Sequence, residues 1–135
     1  MENIKLKGFK MARKLNLHKT EHRDAHVGHG MERSPKWPHV QKLHLKLEPT
    51  CAACGTTKKL NVHHKKPFHL FPELELDLHN LITLCMDKEC HIKIGHGDDF
   101  KHYNPDVDED ASKVLADQTL FEEVAAHAEK KRLFS

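Results

Sequence analysis

The chain has 135 residues, 38% of them hydrophobic and 31% charged, enough for one modest core and a flexible extension. No apolar run approaches the ~20 residues that a membrane span needs, and the Lys-rich N-terminus lacks the apolar stretch of a secretory signal. Four cysteines without such a signal favour metal ligation over disulfides, since the cytosol keeps thiols reduced, and the expected location is cytoplasmic.

The net charge of +2 hides an asymmetry. Residues 1–70 carry 15 Lys/Arg against 5 Asp/Glu, a net of +10, and residues 71–135 carry 7 against 15, a net of −8. A basic half suits a polyanion, because each Lys or Arg set on a phosphate releases condensed counterions. The acidic half is expected to face away from such a partner.

In chain order, residues 1–32 are basic and His-rich without a helical stripe and read as an arm. Ser34-Pro35 starts a helix in which Val40, Leu43, His44 and Leu47 form one face, and Pro49 stops it. Trp37, the only tryptophan, is assigned to core packing. Cys51-Ala-Ala-Cys54-Gly55 is a tight knuckle. Leu60 to His63 alternates like a brief strand, residues 65–78 hold Pro67 and Pro72 and read as irregular, and Leu81 to Leu84 is a second, apolar strand. A short helix follows Asp87 and ends near Gly95 or Gly97. After Asn104-Pro105 a final helix is expected over about 110–131, with an acidic start, a basic end and a buried stripe of Val114, Leu115, Phe121, Val124, Ala125 and Ala128.

Cys51-x2-Cys54 and Cys85-x4-Cys90 are two pairs of soft ligands about thirty residues apart. Zinc takes four such ligands in a tetrahedron, and an all-cysteine site has no open position, so Zn2+ here would be a structural staple and not a catalytic ion. Between and after the pairs lie His63-His64, His79-Asn80 and His91.

These residues resemble the HNH family of ββα-metal nucleases, through CAACG (51–55), NVHHKKPF (61–68), LHNLITLC (78–85) and CHIKIGH (90–96). The chain is especially similar to small bacterial and phage members, which also carry a Trp-containing helix before the knuckle and a tail like Gly95-His96 and Tyr103 to Val107. The resemblance implies an α+β fold: a small ββα-metal (His-Me finger) domain with a structural four-cysteine zinc site, flanked by an N-terminal and a C-terminal helix. The expected organisation is an arm (1–32), a nuclease core (33–107) and a C-terminal helix on the core (108–135).

By the same resemblance His63 and His91 would ligate a catalytic ion, and His64 would be the general base, its ordinary pKa near ~6.5 suiting that work at neutral pH. Asn80 would orient the His64 loop or touch the metal. A further family ligand lies four residues after His91, but that position is Gly95, so its neighbour His96 is the candidate. Strand alternation sends His63 and His64 to opposite faces and argues against a shared role. An imidazole-built site accepts Mg2+, Mn2+, Ni2+ or Zn2+ as the catalytic divalent metal. Lys58, Lys59, Lys65 and Lys66 are candidate phosphate contacts, with Arg33 and Lys36 behind them. The remaining histidines, among them His18, His22, His26 and His29, read as ordinary surface or core residues.

The implied activity is metal-dependent hydrolysis of DNA phosphodiesters, RNA not being separated from DNA, leaving 5′-phosphate and 3′-hydroxyl ends. A nuclease that needs an inhibitor, or that works with a phage or defence partner, fits the same residues. The alternative is a non-catalytic zinc-ribbon module binding nucleic acid or protein, which would need only the cysteines.

Overall fold

Residues 32–135 are described by the computed structural model. The arm up to residue 31, with His18, His22, His26 and His29, lies outside the described residues. The first helix, α1 (Trp37–Leu47), has Pro38 in its opening turn, where a missing N–H costs nothing. Val40 and His44 are its buried face, while Leu47, the end of the expected stripe, is 44% exposed. The Ser34 N–H donates to the buried Glu75 carboxylate at 3.1 Å, tying the helix entrance to the loop of residues 65–80.

The knuckle turns at Gly55, whose φ of +78° is left-handed backbone. It hangs on the sheet through the Ala52 N–H, which donates to the Thr83 carbonyl. β1 (Leu60–His64) and β2 (Leu81–Cys85) pair antiparallel, with Leu60 opposite Cys85 and His64 opposite Leu81. Every residue of β2 is buried, which explains its unbroken apolar reading: the hairpin is covered on both faces. On one face Val62 and Leu81 meet Val40 and Leu76. On the other, Ile82 and Leu84 join Ile94, Val107, Ala111, Val114 and Val124. The loop between the strands is irregular as expected, apart from single 3-10 turns at Pro72–Leu74 and Leu78–Asn80.

After β2 the chain reverses at Glu89, with φ of +61°, and enters a π turn, His91–Gly95. The regular short helix expected after Asp87 is replaced by this wider turn. β3 (His102–Tyr103) follows, then α2 (Val107–Ala116), α3 (Phe121–Lys131) and β4 (Leu133–Phe134), which pairs antiparallel with β3. The single C-terminal helix expected over 110–131 is therefore two. Asp117 breaks it: its carboxylate accepts from the Thr119 N–H at 3.0 Å and hydroxyl at 2.6 Å, a competing local arrangement that caps a new start. The Gln118 amide donates to the Val114 carbonyl, which also accepts from the Asp117 N–H, and to the Ala53 carbonyl on the knuckle, both at 2.8 Å. Of the expected stripe, Val114, Val124 and Ala128 are buried, whereas Leu115 is 54% exposed beside the break.

A buried polar network locks these helices to the π turn. The Asn104 amide donates to the Ile94 carbonyl at 2.9 Å and to the Asp110 carboxylate at 2.8 Å, and Lys131 bridges Asp110 and Asp106. Ile94 has no exposed surface and fills the space between β2 and the C-terminal helices. Ile94→Ala should cost about 2–5 kcal/mol through the cavity it opens. Urea unfolding of the variant against the parent protein measures this, and a loss well under 1 kcal/mol would show that the core collapses around the site.

Candidate metal centre

Among the described residues, two sets of side chains that could ligate a metal converge. The ligand atoms of Cys51, Cys54, Cys85 and Cys90 all lie within 4.8 Å of one another, so the four cysteines form a cluster that could hold a metal ion. Cys51 Sγ accepts from the N–H groups of Ala53 and Cys54, and Cys85 Sγ from that of Lys88, each at 3.4 Å. The wider gap of the second pair is absorbed by the left-handed Glu89. A hydrogen bond from Cys90 holds the Cys51 thiol down at about 4. Burial pushes Cys54 up to about 11, and Cys90, donating to Cys51, is raised further still. Four thiolates cannot share this space without a cation, and four thiolates are what zinc takes.

His63, His91 and His96 form the second set, again with ligand atoms within 4.8 Å of one another. His91 Nε2 lies 3.1 Å from His63 Nδ1 and 3.2 Å from His96 Nε2. His96 comes into line through the π turn, where its N–H reaches back five residues to the His91 carbonyl at 3.2 Å. In an α-helix residue 96 would sit about 140° around the axis from residue 91. Gly95 completes the fit: a Cβ there would come within 3.2 Å of the His63 ring and 3.0 Å of Leu84. The position that the resemblance gives to a ligand instead makes room for the His63 ring.

Backbone carbonyls fix the tautomers, since a carbonyl can only accept. His96 Nδ1 lies 2.8 Å from the His102 oxygen, so it bears the proton and Nε2 keeps its lone pair. His64 Nε2 lies 2.8 Å from the Glu75 oxygen, which leaves Nδ1 as the free acceptor. The His64 ring is stacked on Trp37 at 4.6 Å, so the tryptophan assigned to the core also braces a histidine. Burial is the largest cause holding all four imidazoles below their ordinary 6.5. His64 and His91 are pushed to about 4, His63 is lowered well below normal, and His96 is lowered against the opposing pull of the His102 carbonyl. Neutral imidazole is the form that ligates a metal or accepts a proton.

Arg33, His63, His64, His91, His96 and Tyr103 line one cavity of about 220 Å³. The Arg33 guanidinium lies over the Phe68 ring at 4.5 Å. Asn80 stands behind this cavity and clamps the loop: its Oδ1 accepts the Lys66 N–H at 2.9 Å, and its Nδ2 donates to the Lys66 and Leu74 carbonyls. It thereby holds the chain on both sides of the loop, next to His64 and next to the Glu75 carbonyl.

The lysines separate into two pairs. Lys65 and Lys66 line a neighbouring groove with Asn80. Lys58 and Lys59 precede β1 at its far end, roughly 13 Å along an extended strand from His63, and are not brought to the cavity. The acidic half does not all face away: Asp106, Asp108 and Glu109 share the Lys65 groove, and Asp108 pairs with Lys65 at 2.9 Å. Sequence reasoning missed the Glu75 and His102 carbonyls and the spacing role of Gly95. Backbone acceptors leave no sequence signal, but the five-residue interval from His91 to His96 does.

An antiparallel hairpin and a following helical turn, with imidazoles from the first strand and the turn meeting at one point, define the ββα-metal fold, here within an α+β chain. Residues 51–97 match the family described as HNH endonuclease. Proteins of that family are generally nucleases that act on DNA and use divalent metals. Searches of curated proteins and of solved structures gave no significant match. No helix among the described residues is long and apolar enough to cross a membrane.

The cysteine cluster generates one expectation. Metal analysis of the purified protein should give close to one zinc per chain, and Cys51→Ser or Cys90→Ser should lose both the zinc and the folded state. A zinc-free chain with a full cooperative unfolding transition would refute it. The buried imidazoles generate another. With no ion at the histidine site, the unfolded chain takes up protons near pH 6.5 but the folded chain only near pH 4 at His64 and His91. Stability is then complete above about pH 6.5 and falls as the pH drops toward about 4. Urea midpoints at about pH 7 and about pH 5 should differ in that direction, and His64→Gln should reduce the difference.

Proposed function

We propose that this chain is a metal-dependent HNH endonuclease that hydrolyses DNA phosphodiester bonds, with His64 as general base and one divalent ion held by His63, His91 and His96. The observation that carries this reading is the cavity that the three converging imidazoles share with His64. Three neutral nitrogen donors leave coordination positions open, as catalytic sites do and closed four-thiolate sites do not. The donor set fits a borderline divalent ion, with Mg2+, Mn2+, Ni2+ and Zn2+ all candidates. Such an ion, when bound, would polarise the phosphoryl oxygen and neutralise charge on the leaving 3′ oxygen.

The chain's own residues divide the remaining work. His64, its Nε2–H committed to the Glu75 carbonyl, has Nδ1 available to take the proton from an attacking water. Trp37 and the Glu75 carbonyl hold the ring, and Asn80 holds the loop that supplies that carbonyl. Asn80 thus acts as a positioning residue, and the metal-touching role has no support in its contacts. Lys65 and Lys66 are the better-placed phosphate contacts of the four lysines, and Lys65 must exchange its Asp108 partner for a phosphate. A structural zinc in the cysteine cluster would hold the domain together without entering the reaction.

Plasmid cleavage under a panel of divalent metals tests the reading. His64→Ala should lose about 10²–10⁴ in rate at every metal concentration, with zinc content and DNA binding intact. His63→Ala, His91→Ala and His96→Ala should be partly restored by added metal. Asn80→Ala should fall between the two groups. If the parent protein cleaves neither DNA nor RNA with any metal, while His64→Ala binds nucleic acid like the parent, the non-catalytic binding module takes the place of the enzyme.

A further inference from the structure

The C-terminal residues 132–135 touch the candidate centre in a way that core packing does not explain. Leu133 and Phe134 are 49% and 75% exposed, so this strand buries little apolar surface. Its contacts fall instead on the stretch from Gly97 to Tyr103. The Arg132 guanidinium donates to the Gly97 carbonyl at 2.8 Å. β4 pairs with β3, so that His102 faces Phe134, and their rings stack at 4.2 Å. The Ser135 N–H donates to the Lys101 carbonyl at 3.0 Å, and Ser135 itself lines the cavity that holds the three imidazoles. That stretch contains the backbone group that accepts from His96 Nδ1, the His102 carbonyl.

We infer that Arg132 and Phe134 are positioning residues for His96, acting through the His102 carbonyl. The inference rests on reading His96 as a ligand of the divalent ion. The physical reason is that an imidazole ligates only when its ring orientation and tautomer are both set, and the acceptor at its far nitrogen sets both. An acceptor on a freely moving two-residue strand would leave the ring free to turn and the proton free to sit on Nε2, where it blocks ligation. Pairing with β4 fixes His102 from one side, and Arg132 fixes Gly97 just after His96 from the other. Gly97 allows this crossing: at its φ of +62°, a Cβ would come within 2.9 Å of both the Ala128 carbonyl and Arg132 Cβ.

The test uses the full chain with its cysteine-bound zinc in place. Cobalt(II) is titrated into the histidine site and followed by visible absorption, and the His96 tautomer is read by imidazole nitrogen NMR without added metal. An Arg132→Ala, Phe134→Ala double variant should bind cobalt about 10–100-fold more weakly and show His96 as mixed tautomers, with unchanged zinc content and far-ultraviolet dichroism. Unchanged cobalt affinity and a retained Nδ1–H tautomer in that variant overturn the inference, provided His96→Ala does weaken binding. Equal cobalt affinity in His96→Ala, His91→Ala and the parent would overturn the metal-site reading itself, and this inference with it. Should the double variant fail to fold, Phe134→Ala alone decides by the same two readouts, expected to shift the same way by a smaller amount.

Discussion

Four cysteine sulfurs meet where the knuckle, the end of β2 and the entry to the π turn come together, and the geometry of the histidine cavity depends on that meeting. Cys85 closes the strand opposite the one that ends in His63 and His64, and Cys90 directly precedes His91. Fixing those two sulfurs relative to Cys51 and Cys54 therefore fixes the start of the π turn against the hairpin. The apolar contribution is modest: beyond the hairpin and Ile94, much of the core consists of valine and alanine on short helices. In a domain of this size a metal-linked cluster can supply folding energy that a small core cannot. On the proposed function, a site for chemistry and a site for stability would stand one residue apart in the chain, with opposite coordination demands: the one open, the other closed.

Electrostatics point the same way. No carboxylate belongs to the histidine set. The His102 carbonyl and Asp99 favour the charged form of His96, and the Glu75 carbonyl that of His64, but burial outweighs them and drives all four rings toward the neutral form. What distinguishes His64 from its neighbour is the face of the strand it occupies. His63 turns toward the π turn and meets two other imidazoles, and His64 turns toward α1 and meets an indole and a carbonyl. Two adjacent residues of identical chemistry acquire different surroundings from the period-two alternation of a strand alone.

Much of this was legible in the residues. Both cysteine pairs and the two strands follow from spacing and patterning, because ligand intervals and strand alternation are local properties, whereas the grouping of His63 with His91 came from the resemblance to the HNH family. Other features depended on contacts distant in sequence. The C-terminal helix read as one because its apolar periodicity runs across Asp117, and only the side-chain bonds of Asp117 and Gln118 end it. Trp37 looked like core because an aromatic on a helix usually is, and nothing local shows that its ring meets His64. Lys58 and Lys59 looked equivalent to Lys65 and Lys66 by composition, but strand length separates the pairs. Asp108 reached Lys65 because α2 folds back on the sheet, a placement that a count of charges by chain half cannot reveal. Asn104 sat in a recognisable tail motif, yet its role as a fully buried hub became plain only with its partners in view.

The π turn has a further consequence. Such a turn is an α-helical turn that accommodates one inserted residue without shifting what lies on either side of it. Read this way, the glycine at 95 is the accommodated residue: it takes no side chain into the space beside His63, and the histidine that meets the other two imidazoles comes five residues after His91. If His96 ligates as proposed, a pattern that counts residues would score a missing ligand here, whereas one that counts angle around the axis would find it present. For a metal site carried on a single helical turn, what a ligand has to meet is an angle around the axis, and sequence offset is only a proxy for that angle.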